Sequence, residues 1–556
     1  MSLRTALLPS LLAPLAAGLL GGCLEHPIKK VTYDKSEVIG KTVNVQINKD
    51  VDILFVIDNS GSMAEEQALL SKNFGSFINV LEAPDVDANY RIGITTTDSG
   101  NPRCPKATYS PEGGKLVLSS CVDRIGQGEF SFNMNDFSYA CSDYCDLTDA
   151  QLAIKPTATQ FSNGDTAPRK WIERIEGQTN LPDDVTTVQA FQCFGPQGVA
   201  GCGFESHLES MYLALAQASS KDSTTNYGFL RDQAILSVVI ISDETDCSYT
   251  GLGAEIFTTN KVFWNDPSDP APTSALCWRA GVKCDGSSPT WDKCYASNHG
   301  LDGAADVADT AAVLQPLSKY TNFVQGLEDQ KREIQADQEV LVALIAGVPV
   351  GYDKNTAEII YEDTDDVAYQ TDFGIGPGCV LAGMNGDPDS RAVPPVRERE
   401  FAEAFQVGDE RNLFSICQND YSGALQAIAD KIRTQIKPAC MPNCVRDIDP
   451  STDILDPSCE LTETNSFTGT SRAIVPCEEV NGAWQAPAGE TVCFAELIDK
   501  GGETPNPLDD MAMECVSEGF NLDERVSALG DLASCRQADF TAPDGRTGVD
   551  NQLSRL

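Results

Sequence analysis

The stretch VDILFVIDNSGSM, residues 51–63, begins as an apolar run that is typical of a strand buried on both faces of a parallel sheet. The run stops at Asp58, and Ser60 and Ser62 follow at alternate positions with Gly61 between them. Because glycine lets the backbone bend, both hydroxyl groups can turn toward the point that the carboxylate faces. The stretch therefore predicts a strand whose carboxyl end presents a set of oxygen ligands.

Further strand-like runs alternate with amphipathic helices along the chain. Such alternation predicts an α/β fold, a doubly wound and mostly parallel sheet of the Rossmann type, in which the loops at the carboxyl ends of the strands form the ligand crevice. The strands are predicted at 51–57, 90–98, 234–242, 339–347 and 412–417, and the helices at 64–81, 205–218, 319–336 and 421–436.

The length of 556 residues predicts more than one domain. Residues 49–436 are predicted to form the α/β domain, with disulfide-pinned insertions at about 99–200 and 247–318 that are rich in Gly, Pro, Ser and Asp. In residues 437–540 helical periodicity weakens and seven cysteines occur, which predicts a small, cysteine-rich β domain. Residues 541–556 are predicted to be a frayed tail.

The amino terminus has the pattern of an export signal. Arg4 precedes an apolar run at 6–20 that is too short to span a bilayer comfortably. The sequence LLGGC that follows resembles the bacterial lipobox, which implies that a signal peptide, residues 1–22, is removed and that Cys23 becomes a lipid-modified amino terminus. An ordinary secretory signal is the alternative. Residues 23–48 are then a tether.

These features together predict a location in the bacterial cell envelope, anchored by lipid alone. Leu24 rather than Asp follows the cysteine, which by analogy with enteric sorting favours the outer membrane or cell surface. The 20 cysteines agree with export, since only three histidines are present and no CxxC pair occurs, so disulfides are favoured over zinc. The net charge of −42 argues against binding to nucleic acid.

The oxygen ligands at 58, 60 and 62 suit a hard divalent cation, Mg²⁺ or else Mn²⁺ or Ca²⁺. A purely structural alternative exists. Ser62 and Glu65 have the spacing of a capping box that would open the helix predicted at 64–81, and Asp58 would then be a turn carboxylate.

DNSGSM after an apolar strand resembles the von Willebrand factor type A family, whose metal-ion-dependent adhesion site begins with Asp-x-Ser-x-Ser. The resemblance covers roughly residues 49–436 and implies that Asp58, Ser60 and Ser62 are ligands, joined by Asp243 at the end of a later strand. A narrower resemblance is to cysteine-rich predicted lipoproteins that are common in myxobacteria and their relatives. It is carried by the segments YRIGITTTD, GCGFESHLESMYLAL, VVIISDETDCS and FSICQNDYSGALQAIADKI.

The sequence departs from the family at its threonine ligand. Val199 or Cys202 stands at that position, depending on the gap, so we expect weaker cation binding than is usual for the family. Glu244 and Asp246 lie beside Asp243 and are alternative acidic ligands.

The function implied by the resemblance is a tethered module for divalent-cation-dependent protein binding or adhesion, whose protein partner offers an acidic residue to the metal. One alternative is a structural lipoprotein with a vestigial metal site, and another is an uncharacterised hydrolase. We expect no enzyme activity, because the sequence has no GxSxG, HExxH or P-loop motif. His207, the histidine that lies near Cys202, is expected to be an ordinary helical residue rather than the base of a Cys–His pair.

Cys23→Ala is expected to release the chain from membranes or to block its processing, because the lipid would have no attachment point. Metabolic labelling with a fatty-acid probe, followed by membrane fractionation, measures this directly. Absence of label on the wild-type chain would contradict the prediction.

Overall fold

The computed structural model describes residues 48–436 except 84–85, 105–109, 333–337 and 384–388. Outside this range it describes only Thr42–Val45 and short segments, mainly strands, between 460 and 554. The predicted signal peptide, most of the tether and Cys23 lie outside the described residues.

A sheet of seven strands forms the centre of the α/β domain, in the order β7-β6-β5-β1-β2-β3-β4. Strands β1, β2, β5, β6 and β7 are parallel, whereas β3 and β4 are antiparallel at one edge. The prediction of a mixed α/β fold with a mostly parallel sheet is therefore confirmed, as are the five predicted strands. The strands are β1 (Asp50–Ile57), β2 (Asn89–Thr96), β3 (Trp171–Ile175), β4 (Gln178–Thr179), β5 (Ile235–Ile241), β6 (Leu341–Ala346) and β7 (Leu413–Ser415).

Helices cover both faces of this sheet. One apolar core lies under α1, α4 and α10, and a second core lies under α5, α7 and α9 on the opposite face. The four predicted helices are present as α1, α5, α7 and α10. The helices are α1 (Ala64–Leu81), α2 (Cys121–Gly126), α3 (Tyr139–Ser142), α4 (Thr187–Phe194), α5 (His207–Ala218), α6 (Ala275–Gly281), α7 (Leu317–Arg332), α8 (Val367–Phe373), α9 (Val396–Glu403) and α10 (Ser422–Gln435).

Strand β1 shows why the chain folds in this way. Ile53 and Phe55 point into the first core, while Leu54 and Val56 point into the second. Because successive side chains of a strand point to opposite faces, a continuous apolar run requires cover on both sides. The apolar run in the sequence therefore fixes β1 as a central strand.

The first predicted insertion is less separate from the sheet than the sequence indicates. Strands β3 and β4 extend the main sheet beside β2, and Phe191 of α4 stacks on Phe74 of α1 with 3.5 Å between ring centroids. Those parts of residues 99–200 belong to the α/β core. The sequence does not reveal this, because β3 and α4 are short and lie between long polar loops.

Disulfides fix both predicted insertions. Cys141 and Cys145 are close in sequence but do not bond each other. Cys141 bonds Cys121, and Cys145 bonds Cys193. Such pairing is typical of proteins that fold in an oxidising, extracytoplasmic compartment, which agrees with predicted export. Within the described residues, four more disulfides join Cys104 to Cys202, Cys247 to Cys277, Cys284 to Cys294 and Cys379 to Cys417.

Beyond the α/β domain, Glu460–Asn465 pairs with Ser471–Pro476 and with Val549–Ser554 in antiparallel fashion. The last of these strands lies within the predicted tail, so part of 541–556 pairs in a sheet where the sequence predicts fraying. Within the described residues, no helix has both the length and the apolar character needed to cross a membrane.

Phe74→Ala is expected to lower the free energy of unfolding by about 3–5 kcal/mol, because it opens a cavity among the fully buried rings of Phe55, Phe77 and Phe191. Met134→Ala is the control, since Met134 is fully exposed, and should change stability by less than about 0.5 kcal/mol. Denaturant unfolding of the disulfide-bonded protein measures both. Equal losses in the two variants would contradict this account of the core.

Candidate metal centre

The register of the parallel strands brings the polar residues together. Ile57, the last residue of β1, is paired with Ile241 of β5 on one side and with Thr96 of β2 on the other. The ladder continues one step further, since Asp58 N donates to the Ile241 carbonyl at 3.0 Å and Thr97 N donates to the Ile57 carbonyl at 3.2 Å. The residue after each strand therefore lies at the same edge of the sheet.

Asp58 is fully buried, and hydrogen bonds hold both of its carboxylate oxygens. Ser60 N donates to Oδ1 at 2.8 Å, and the Thr97 hydroxyl lies 3.4 Å from the same oxygen. The Ser242 hydroxyl donates to Oδ2 at 2.5 Å. The carboxylate is thus fixed in orientation by three neighbouring loops.

The two serine hydroxyls of the motif converge as the sequence predicts. Ser60 Oγ and Ser62 Oγ are 3.3 Å apart, and Ser62 Oγ donates to Asp243 Oδ1 at 3.1 Å. The alternative interpretation, a capping box, is wrong: α1 begins after Met63 without any side-chain cap. The structure therefore brings Asp58, Ser60, Ser62 and Asp243 to one place, and Ser62 faces the second carboxylate instead of the helix.

Gly61 is required for a different reason from the one that the sequence suggests. Its φ is not in the left-handed region, so the loop does not need glycine for its backbone conformation. A Cβ atom at this position would instead lie 2.3 Å from the ring of Phe132. Phe132 belongs to a hairpin, residues 131–136, within the first predicted insertion, so the insertion packs directly on the serine loop.

The loop before α5 supplies a carboxylate that the sequence-based prediction does not include. Glu205 is only 1% exposed, and neither of its carboxylate oxygens has a hydrogen-bond partner. Gly201 brings this loop close to β1: its N–H donates to the Asn59 carbonyl at 2.8 Å, and a Cβ there would collide with the Asn59 side chain. The sequence-based prediction looks for a threonine ligand in this loop and therefore does not identify Glu205.

The two residues aligned with the threonine ligand contribute no oxygen from their side chains. Cys202 is bonded to Cys104, and Val199 is buried against Phe130 and other apolar residues of the first insertion. The hydroxyl near Asp58 comes instead from Thr97, at the end of β2. Its position is visible only once the strands are in register.

Four carboxyl groups close to the motif hold their protons more tightly than usual. Burial, helped by the charge of Asp58, raises the pKa of Glu66 and of Glu244 to about 7. Burial and the charges of Glu66 and Asp58 raise the pKa of Asp243 well above its usual range. Burial and the charge of Glu244 do the same to the pKa of Glu205. The raised pKa values result from the burial and crowding of acidic groups at this edge of the sheet.

His207, the first residue of α5, is the one basic group found against Asp58 among the described residues. Its Nε2 lies 2.6 Å from Ser242 Oγ and 3.8 Å from Asp58 Oδ2, and its Nδ1 lies 3.3 Å from Glu398 Oε1. Burial alone would lower the pKa of His207, but the neighbouring carboxylates of Asp58 and Glu398 outweigh it and raise the pKa to about 10. His207 is therefore an imidazolium that donates to Ser242.

The arrangement of Ser242, His207 and Glu398 does not favour nucleophilic catalysis. Ser242 is buried, its hydroxyl proton goes to Asp58, and the imidazolium cannot accept a second proton. A Cys–His pair is also excluded for His207 and Cys202, because that sulfur is in a disulfide.

Of the two alternative acidic ligands, Asp246 is already engaged. Its Oδ2 pairs with Arg397 Nε at 3.1 Å, and its Oδ1 accepts from Ser248 at 2.6 Å. Glu244 is available, since its Oε2 has no partner. Soft metals find no site in the described residues, because the three close sulfurs of Cys121, Cys141 and Cys145 are all in disulfides.

The predicted ligands, Asp58, Ser60, Ser62 and Asp243, offer carboxylate and hydroxyl oxygens. Around them, carboxylate oxygens of Glu66, Glu205 and Glu244 are buried without a hydrogen-bond partner in the part of the chain that the structure describes. A buried polar atom without a partner costs free energy that a bound ligand can offset. Hard divalent cations prefer oxygen ligands of this kind. The residues present therefore fit Mg²⁺, Mn²⁺ or Ca²⁺.

In the presence of a chelator, the melting temperature of the protein is expected to fall by several degrees as the pH rises from about 5 to about 8. The folded state holds protons on Glu66 and Glu244 up to pH about 7, whereas the unfolded chain releases them near the ordinary value of 4.5. His207 acts in the same direction between its ordinary pKa of 6.5 and about 10. In both windows the unfolded state binds fewer protons, so rising pH favours unfolding.

Calorimetry of the wild type and of Glu66→Gln separates this effect from the general repulsion of an acidic protein. The variant should show a shallower fall between pH 5 and 7, because one of the titrating carboxyl groups is gone. Parallel curves would show that Glu66 does not titrate as described.

Comparisons with known proteins do not assign the chain to a family. No protein-family model matches the chain, and no curated protein matches it. A crystal structure of the pilus adhesin SpaC from Lactobacillus rhamnosus GG in its open conformation is similar at 10% identity with a TM-score of 0.27, covering 92% of this chain and 39% of the adhesin. A second crystal form of that adhesin gives 11% identity and a TM-score of 0.25 over the same shares. The chain thus spans about two-fifths of the adhesin, and likeness this distant carries no argument about fold or function.

Proposed function

We propose that the chain is an extracytoplasmic protein of the von Willebrand factor type A kind that binds a protein ligand through a divalent cation held by Asp58, Ser60, Ser62 and Asp243. One observation carries the proposal. The hydroxyl groups of the motif are turned toward each other and toward Asp243, at 3.3 and 3.1 Å, and not toward the amino terminus of the helix.

Charge supports the same conclusion. Asp52 and Asp58 are both fully buried aspartates of β1 and its loop. Asp52 is neutralised by Arg231, whose Nε lies 2.9 Å away and whose backbone N–H donates to it at 2.6 Å. At the opposite end of the sheet, Asp58 has no arginine partner of this kind within the described part of the chain. Asp243 and the nearby Glu66 also make no ion pair with lysine or arginine among the described residues, so a cation from solution would balance their charge.

The rim of the site supports a protein as the partner. Phe132, which packs on Gly61, and Tyr139, which lies near Glu65, are partly exposed, and Met134 is fully exposed at the tip of the hairpin that contains Phe132. Exposed apolar side chains next to a polar centre are typical of protein-binding surfaces. An acidic side chain of the partner would complete the coordination of Mg²⁺, which retains open positions filled by water.

The cellular setting belongs to the same proposal. The disulfides agree with export, and the lipobox-like sequence ending at Cys23 supports a lipid anchor at the outer membrane or cell surface. The cation site would then face the outside of the membrane, where divalent cations are available without a transport step.

Asp58→Asn is expected to abolish binding of Mg²⁺, Mn²⁺ and Ca²⁺ at this site while the fold is retained, because the amide keeps the size and most acceptor contacts of the carboxylate. Isothermal titration calorimetry at millimolar cation, with melting curves in parallel, measures both properties. The cation should raise the melting temperature of the wild type and leave that of the variant unchanged.

Glu65→Gln is the matched control, because Glu65 is an exposed carboxylate in the first turn of α1. The substitution removes one nearby charge but no predicted ligand. It should bind cation within about threefold of the wild type. If wild type and Asp58→Asn respond identically to all three cations, the site is vestigial and the structural alternative replaces the proposal.

A further inference from the structure

A second group of buried oxygens lies beside the proposed cation site. Glu205 comes from the loop before α5, and Glu244 comes from the loop after β5. A backbone hydrogen bond from Cys247 N to the Glu205 carbonyl, at 2.6 Å, joins the two loops, and the charge of Glu244 contributes to the raised pKa of Glu205. Ionised carboxylates only accept hydrogen bonds, so two of them held close together require a proton or a cation between them.

The two carboxylates are held in place by their own backbones. The Glu205 carbonyl accepts from Cys247 N at 2.6 Å, and Ser206 N donates to the Thr97 carbonyl at 2.8 Å. Glu244 N donates to Ser242 Oγ at 3.1 Å. The disulfides Cys104–Cys202 and Cys247–Cys277 fix the chain on either side of these contacts. These contacts fix the backbone positions of both glutamates at the carboxyl edge of the sheet.

No lysine or arginine pairs with either glutamate among the described residues, although the charge of His207 and the Ser274 hydroxyl act on Glu244. Both Glu205 oxygens and Glu244 Oε2 lack hydrogen-bond partners, although Glu205 is 1% exposed. The charges that act on Glu205 are those of other carboxylates, Glu244 and Asp58. Neutral oxygens without partners occur nearby in the chain as well: Asn59 Oδ1 lies against Gly201 of the Glu205 loop, and Thr245 Oγ1 follows Glu244.

We infer that Glu205 and Glu244 form a second binding site for a hard divalent cation of the Ca²⁺ class, next to the serine motif but separable from it. The site shares the neighbourhood of Asp58, but it uses neither Ser62 nor Asp243. Glutamates from two loops suit Ca²⁺, which accepts six to eight oxygens in flexible geometry, better than Mg²⁺, which demands a near-ideal octahedron. The inference extends the proposed function and does not depend on the serine motif being occupied.

The competing explanation is a proton shared between the two carboxyl groups. In that case the pair is satisfied without any metal, and an amide at one position would replace the shared proton with an N–H donor. The two explanations therefore predict different effects of Glu205→Gln: loss of one bound Ca²⁺ if the pair holds a cation, and unchanged Ca²⁺ binding if it shares a proton.

Equilibrium dialysis of the full, disulfide-bonded chain against Ca²⁺, with metal counted by mass spectrometry, tests the inference. Glu205→Gln is expected to bind one Ca²⁺ fewer than the wild type and to lose part of the Ca²⁺-induced rise in melting temperature. Ser62→Ala should lose the other ion and keep this one. Glu244→Gln repeats the test from the opposite loop, in case Glu205→Gln does not fold.

The possible outcomes separate the two sites. If Glu205→Gln and Glu244→Gln bind as much Ca²⁺ as the wild type while Ser62→Ala binds less, the second site is overturned and the proposed function stands. If only the glutamate variants lose Ca²⁺, the second site is supported and the serine motif is vestigial. Unchanged Ca²⁺ binding with a more stable Glu205→Gln protein in chelator would establish the shared proton.

Discussion

The in-register parallel pairing of β1 with β2 and β5 is the constraint on which the site depends. Ile57 pairs with Thr96 and with Ile241, so the residues that follow each strand, Asp58, Thr97 and Ser242, meet at one edge. A shift of one residue in either pairing would turn the apolar side chains of β1 to the wrong core and separate these oxygens. Two buried faces of the sheet thus specify the register, and the register specifies the site.

The distribution of buried charge differs between the two ends of the sheet. Near the amino ends of the strands, Arg231 pairs with Asp52, and Arg91 pairs with Glu173 at 2.6 Å. At the carboxyl ends, carboxylates accumulate around Asp58 and the one basic group against it is His207, among the described residues. Arginine thus compensates the buried carboxylates at the amino ends, whereas carboxylate oxygens of Glu66, Glu205 and Glu244 at the carboxyl ends have no hydrogen-bond partner within the described ranges.

The long segments between the strands and helices of the core make direct contacts with the candidate site. The hairpin of the first insertion places Phe132 on Gly61, which ties a rim residue to the serine loop. On the other side, Ser390 donates to Glu66 at 3.3 Å, and Val393 N donates to the Asp243 carbonyl at 2.8 Å. Disulfides and small apolar clusters of their own hold these segments in place.

The sequence by itself determined the α/β class, the central strands and the four main helices, because apolar runs and helical periodicity report burial directly. It also determined that Asp58, Ser60 and Ser62 stand at a strand end. Tertiary structure alone decided that Ser62 faces Asp243 and not its own helix, that β3 and α4 belong to the core, and that Glu205 joins the cluster. These features depend on contacts between residues far apart in the chain, and local periodicity contains no information about which loops meet.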